Sequence, residues 1–287
     1  VKYVPTWFPG TKFQRIAAEW RQDTEKMRDI PFDWTKKQIA SGIHESSLVS
    51  LHIPEIKSSE EEYLLKWAAA SVYGAGADTT VSSVTSFFLC MCLNPRVQAK
   101  AQAELDRVIG QDRLPSLADR KTLPYVEAVM KEVLRWAPVA PSGVPHQLVQ
   151  DDHYNGHDLP SGSVIVPNIW AMTRDTRYFA NPEEFRPERF LEEKLQDSLR
   201  ADPLQIVFGF GRRACPGQRF AEGCIFLSVS MTLMAFNIAK ETDVATGNYI
   251  EPVVDVIPGI IVQPMPFSCK ITPRSRKVVE VIQRAGL

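Results

Sequence analysis

The sequence predicts a mainly α fold with small antiparallel β-sheets, and three observations carry that prediction. A stretch of nearly all apolar or small residues runs from Ser59 to Leu93. Several other segments repeat apolar residues every three or four positions, the helical period. Between 138 and 170 the pattern changes to short apolar runs broken by Asn155-Gly156 and Ser161-Gly162, which suit tight turns between antiparallel strands.

The opening cluster of Tyr3, Val4, Pro5, Trp7, Phe8 and Pro9 is unusually aromatic and reads as buried core in preference to a membrane-dipping loop. Residues 11–43 read as one or two amphipathic helices covering what lies beneath, with Phe13, Ile16, Ala17, Trp20, Thr24 and Met27 spaced by three and four. Ser59 with Glu62 makes a capping box, and Asn94-Pro95 is a stop signal. A helix between them is ~51 Å long at 1.5 Å per residue, enough to cross a domain, and its composition predicts burial on most sides. A second helix starts at Pro95 and ends at Gly110, with Val97, Ala101, Leu105 and Val108 inward and Arg96, Lys100, Glu104 and Arg107 solvated. A third starts at Pro124 and carries Tyr125, Val126, Val129, Met130, Val133 and Leu134 on the helical period up to Pro138. Residues 171–214 hold few periodic signals and read as a long ordered meander. A last strong helix is expected from Gly217 to Ala239, then a hairpin from Val253 to Val262 turning near Pro258-Gly259.

The chain has 287 residues, with 33 Lys plus Arg against 34 Asp plus Glu, so a net charge of −1 argues against a nucleic-acid partner. Hydrophobic residues at 44% and charged ones at 23% are ordinary for a globular chain and argue against disorder. The first residue is Val1, so a processed or incomplete product is expected. Cys90, Cys92, Cys215, Cys224 and Cys269 form no CxxC pair and leave an odd count, which supports neither a disulfide framework nor a zinc knuckle and suits a reducing compartment. Four Ser or Thr interrupt the best candidate membrane span, Val81 to Leu93, so no crossing of a bilayer is expected.

The most informative segment is Phe-Gly-Phe-Gly-Arg-Arg-Ala-Cys-Pro-Gly from Phe208 to Gly217. It puts one thiol, Cys215, in a glycine-rich bend just before a helix N-terminus. Backbone N–H groups without helical partners and the positive end of the helix dipole favour a thiolate there, and Arg213 adds a cation. Pro216 suits the first helical turn. A lone Cys-Pro-Gly is more often a structural cysteine on a loop; ten positions fitting one spacing reverse that weighting.

The segment resembles the haem-binding loop of the cytochrome P-450 family, F-x-x-G-x-R-x-C-x-G, matched here by Phe208, Gly211, Arg213, Cys215 and Gly217. The resemblance implies haem b, iron protoporphyrin IX, with Cys215 as the proximal thiolate ligand of the iron. It also implies that Arg213 pairs with a haem propionate and that Phe208 packs beside the sulfur. Three more motifs fall in the family's order. Glu132-Val-Leu-Arg135 matches E-x-x-R; alone it is a common i,i+3 pair, worth a few tenths of a kcal/mol at a surface. The resemblance adds Arg189, in Phe185-Arg-Pro-Glu-Arg-Phe190, and implies a structural network of Glu132, Arg135 and Arg189. Ala75-Gly-Ala-Asp-Thr-Thr80 interrupts the long helix; Gly76 alone costs about 1 kcal/mol against alanine and would simply permit close packing. In the family this stretch lies over haem, which implies that Thr79 organises water and protons at oxygen while Asp78 links to solvent. His146 stands where microsomal members often place a propionate-binding histidine, and an ordinary polar contact is an equal alternative. The W-x-x-x-R spacing of Trp170 and Arg174 comes too late in the chain for the family's propionate-binding helix. His153 and His157 read as exposed.

The expected fold is therefore the C-terminal part of the cytochrome P-450 fold, similar to the fungal microsomal type, beginning inside the family pattern with the N-terminal half absent. Residues 1–57 are expected to be a remnant of the helical roof over the active site and 58–287 the haem-binding core. The implied function is a haem-thiolate monooxygenase, inserting one atom of O2 into an apolar small molecule with electrons from an NADPH-dependent cytochrome reductase. Pocket residues implied by the resemblance are Ala75, Thr79, Val139, Ala140, Ser142 and Ile257. A full-length parent would sit on the cytoplasmic face of the endoplasmic reticulum membrane, through a segment that this chain lacks. The alternatives are an inactive haem-binding remnant with one pocket wall open, and an unrelated helical interaction protein.

Overall fold

The computed structural model describes residues 4–192 and 202–286. It is mostly helical with small antiparallel sheets. The chain divides into two compact units, Val1–Ala77 and Asp78–Leu287.

The first unit holds α1 (Lys12–Ala40), α2 (Leu48–His52) and the beginning of α3 (Ser59–Leu93). One helix covers the stretch predicted as one or two, and it contains Pro31. Proline lacks the N–H that would bond one turn back, so the helix continues with one ladder bond fewer. The apolar face of α1 is covered only in part: Phe13, Trp20 and Met27 are exposed, Ile16 is half-buried, and only Phe32 of the helix is buried. The opening aromatics differ from expectation in the same way, with Trp7 79% and Phe8 52% exposed; Tyr3 lies outside the described residues. Periodicity fixes which face is apolar, but burial requires a second surface to pack on it. α3 begins where predicted, but the capping falls one residue earlier. Ser58 Oγ accepts from Glu61 N at 3.2 Å, and Glu61 Oε2 accepts from Lys57 N at 2.5 Å.

Burial along α3 is also uneven. Tyr63, Leu64, Val72 and Tyr73 are exposed, whereas Ser82, Ser83, Ser86, Phe87 and Leu89 to Cys92 are buried. By length and composition alone α3 would qualify as a membrane span. In the second unit its last turns belong instead to the main core, with Phe87, Cys90 and Met91 packed among residues of α4 (Pro95–Val108), α5 (Pro124–Trp136) and α7 (Gln218–Ala235). α4 buries Val97, Ala101 and Leu105, as the period predicts. It also buries Glu104, which the sequence assigns to the solvated face. The Glu104 carboxylate accepts from Tyr125 N at 3.0 and 2.9 Å and from Val126 N at 3.0 Å, satisfying N–H groups that the first turn of α5 leaves free.

Among the described residues, four two-stranded antiparallel sheets complete the unit. β2 (Asp152–Tyr154) pairs with β3 (His157–Leu159) across Asn155 and Gly156, both at positive φ, the turn that the Asn-Gly signal predicts. β1 (His146–Gln147) pairs with β4 (Val164–Ile165), after which a short helix α6 (Ile169–Met172) follows. β6 (Val256–Ile257) pairs with β7 (Gln263–Pro264), a hairpin slightly later than predicted. The last strong helix, α7, stops at Ala235, and the chain enters β5 (Phe236–Lys240), which pairs with β8 (Cys269–Pro273) before a final helix α8 (Arg276–Arg284). The predicted extension to Ala239 fails because Ile238 is bonded on both sides. Gln98 of α4 donates to Ile238 O at 2.8 Å and accepts from Ile238 N at 2.7 Å, supplying a strand partner from a side chain. After α6 the predicted meander holds, among its described residues, the short 3-10 helices Pro187–Leu191, Pro203–Gln205 and Gly211–Arg213; 193–201 lie outside them.

Candidate functional site

Cys215 stands on the loop that leads into α7. Its N–H donates to Phe208 O at 2.7 Å, closing the bend on itself, and its carbonyl accepts from Gln218 N at 3.3 Å, joining the bend to the helix. Gly209 and Gly211 are at φ +78° and +60°, where residues with a Cβ are disfavoured. Phe208 packs against the main core at the base of the loop, whereas Arg213 and Cys215 are exposed at its top. A Cβ at Gly217 would stand 3.9 Å from Cys215 Sγ. The loop is thus anchored at its apolar end and presents a soft sulfur donor on backbone kept bare by glycine. Those features fit haem, a flat macrocycle whose iron takes a thiolate and whose propionates take a cation.

The three charged residues Glu132, Arg135 and Arg189 lie together. Glu132, Arg135 and Arg189 are all fully buried. Arg135 donates to the two Glu132 oxygens at 2.8 and 2.9 Å, a bidentate pair one turn apart on α5. Arg189 Nε reaches Glu132 Oε1 at 3.2 Å, and Arg186 N donates to the same oxygen at 2.7 Å. Two guanidinium groups around one carboxylate leave N–H groups over, and backbone carbonyls take them. Arg135 donates to Thr173 O and Glu184 O, and Arg189 to Ala180 O and Glu184 O. Burial pushes the Arg189 guanidinium down from its ordinary value, helped by the like charge of Arg135 and opposed by Glu132. The sequence identifies the three side chains but contains no signal for the three carbonyls, because a backbone acceptor has no residue type.

Asp78 is exposed and Thr79 half-buried on α3; Thr79 O accepts from Ser83 Oγ at 3.1 Å. Among the remaining candidates, Ala75, Ser142, His146 and Ile257 are exposed, and Val139 and Ala140 are half-buried. The loop after α5 and the β6–β7 hairpin meet α3: Val262 N donates to Val139 O at 2.9 Å, and Ser82 Oγ to Val262 O at 2.6 Å. Gly143 turns this loop at φ +57°, and a Cβ there would come within 2.5 Å of Pro167, so only glycine fits. A cavity of about 260 Å³ lies beside the junction, lined among others by Ser82, Ser86, Trp136, Pro138, Trp170 and Val256. Ala75, Thr79, Val139, Ala140, Ser142 and Ile257 do not line it. Arg174 stacks 4.6 Å from the Trp170 ring centroid and donates to Trp136 O at 2.9 Å. His153 and His157 are exposed, with His153 Nδ1 2.7 Å from Asp158 Oδ1.

A helical core with small antiparallel sheets therefore carries a cysteine loop before its last long helix and a buried E-x-x-R network, the arrangement expected from the sequence. The comparisons with known proteins agree. The cytochrome P-450 family model matches residues 6–267. The cytochrome P-450 monooxygenase claR of Ampulloclitocybe clavipes is 44% identical over 99% of this chain and 52% of its own length. Cytochrome P-450 monooxygenase 208 of Postia placenta is 48% identical over 96% of this chain and 53% of its own. A zebra fish cytochrome P-450 structure with progesterone matches at TM-score 0.75 and 31% identity, covering 92% of this chain and 60% of that one. The chain belongs to the cytochrome P-450 family, and it spans about half the length of the curated relatives it matches.

Proposed function

We propose that the chain carries the haem-binding part of a monooxygenase that inserts one atom of O2 into an apolar organic substrate, with electrons from an NADPH-dependent cytochrome reductase. The observation that carries this reading is the Cys215 thiol, presented at the top of a glycine-bent loop whose base is anchored in the core. Haem, when bound, supplies the activation of O2. Cys215 Sγ holds the iron and donates electron density to it. Arg213 neutralises a propionate, and His146 is a second candidate for that task. The buried Glu132–Arg135–Arg189 network ties the chain around residues 180–189 to α5 and keeps the second unit rigid. Asp78, exposed on α3, takes protons from solvent, and Thr79 Oγ1 passes them inward. Ala75, Val139, Ala140, Ser142 and Ile257 are proposed to meet the substrate. The working site of the parent protein, on this reading, is the cytoplasmic face of the endoplasmic reticulum membrane.

Substrate oxidation with haem, reductase and NADPH tests the reading, with Cys215→Ala as the comparison. Turnover above that of Cys215→Ala is expected, and equal turnover removes the activity from this chain. A second reading, haem binding without turnover, is favoured by the exposure of Asp78, Ala75 and Ile257. Saturable haem uptake with no product is its signature.

A further inference from the structure

A second charged network, outside the E-x-x-R cluster, reaches the loop that carries Cys215. Arg120 sits in the 3-10 helix Leu117–Thr122, just ahead of α5. Its guanidinium donates through Nε and Nη2 to the two oxygens of Glu127, each at 2.7 Å, and Nη2 also donates to Glu222 Oε2 at 3.0 Å. Glu222 stands one turn into α7, and its other oxygen accepts from Gln218 Nε2 at 3.0 Å. Gln218 is the first residue of α7; its side chain also reaches Leu204 O at 3.3 Å, and its N–H holds the Cys215 carbonyl. The chain of contacts therefore runs from α5, which anchors Glu127, to the backbone of the cysteine.

Two facts make this route more than a surface pair. The Arg120, Glu127 and Glu222 side chains are only 26%, 20% and 15% exposed, so solvent screens them less than a free surface pair. The start of α7 has no clamp of its own: its N-cap is Gly217, with no side chain to accept from the first turn. The loop before it bends at Gly209 and Gly211, residues that contribute no side-chain contacts. Core packing holds the helix from Ile225 and Phe226 onward, and Gln218, Glu222 and Arg120, whose guanidinium also lies 5.9 Å from the Phe226 ring centroid, are polar groups that reach the turn before them.

We propose that Arg120 and Glu222 are positioning residues for Cys215: they fix the first turn of α7 and so the approach of the thiolate to iron. The proposal rests on the haem-thiolate reading of Cys215, and its test separates the two. The full chain is prepared as wild type, Arg120→Gln, Arg120→Lys, Glu222→Gln and Cys215→Ala. Two quantities are read: amide exchange at residues 217–222 without haem, and the share of bound haem giving the red-shifted Soret band after reduction under carbon monoxide. In Arg120→Gln, exchange at 217–222 is expected to quicken about tenfold while α5 beyond its first turn is unchanged, and the red-shifted share to fall about fivefold. Arg120→Lys restores part of both. Glu222→Gln keeps an acceptor for Gln218 but loses the ion pair; it moves both readouts the same way and serves if Arg120→Gln fails to fold. Unchanged exchange and spectrum in Arg120→Gln and Glu222→Gln overturn the proposal. So does a uniform rise in exchange over the second unit with the spectrum unchanged, which is plain destabilisation. A red-shifted band that persists in Cys215→Ala overturns the haem-thiolate reading, while the exchange data still report on the clamp.

Discussion

Glu132 joins α5 to the chain around residues 186–189 through a single carboxylate. One carboxylate holds two guanidinium groups, all three side chains out of contact with water, and one half-buried backbone N–H. A buried ion pair replaced whole by apolar groups is often neutral in stability, but removing one partner leaves the other charge uncompensated. Glu132→Ala strands two cations, and the expected loss is about 3–5 kcal/mol of unfolding free energy in urea titration. A loss below about 1 kcal/mol would show that the cluster is solvated. E-x-x-R was legible in the sequence as a spacing, and the third member came from a family pattern. Burial was not legible, because the same i,i+3 pair on an exposed helix face has an identical spelling.

Between elements, the junction of α3 with the β5–β8 sheet shows how a core contact sets pH dependence. Cys92, in the last turn of α3, is buried, and its thiol points to Ala239 O of β5 at 3.6 Å beside the Cys269 thiol. Burial, with a smaller contribution from Cys269, pushes the Cys92 thiol from its ordinary 9.0 up to about 12. The folded state therefore holds the proton where the unfolded chain releases it. Its contribution is complete below pH 9.0 and is lost as pH rises towards about 12. The expected decline is at most about 1.4 kcal/mol per pH unit. Urea unfolding of wild type and Cys92→Ala across that range checks it, and an unchanged slope in the variant refutes it. The Gln98 side chain that pairs with Ile238, and the Glu104 cap on α5, belong to the same scale. Both residues sit at helix positions, and neither advertises its partner in sequence, since the partners lie 140 and 21 positions away.

For the molecule as a whole, the two units differ in how much core they possess. Among the described residues, the buried apolar side chains of the first unit are Phe32, Val49 and Ala70, whereas the second buries some thirty. Local opening is easiest where few apolar contacts must be broken. Native-state amide exchange is accordingly expected to be fast through α1 and α2 and slowest in α5 and α7, with a contrast of at least about a hundredfold. Equal protection in α1 and α5 would contradict the burial pattern. The exposed Trp7, Trp20, Trp34, Leu51 and Tyr63 belong to the weaker unit, which has an apolar face without a core to match it.

By itself the sequence determined the family, the helical class, the starts of α3, α4 and α5, the Asn155-Gly156 turn and the side chains of the signature loop. Each of these is local: a period, a cap, a proline or a fixed spacing acts within a few residues. Tertiary structure decided which apolar faces are covered, that Glu104 faces inward, that α7 yields to a strand at Phe236, and that Arg120 reaches Glu222. These depend on segments far apart in the chain meeting in space, and burial or a hydrogen bond exists only once the second surface has arrived.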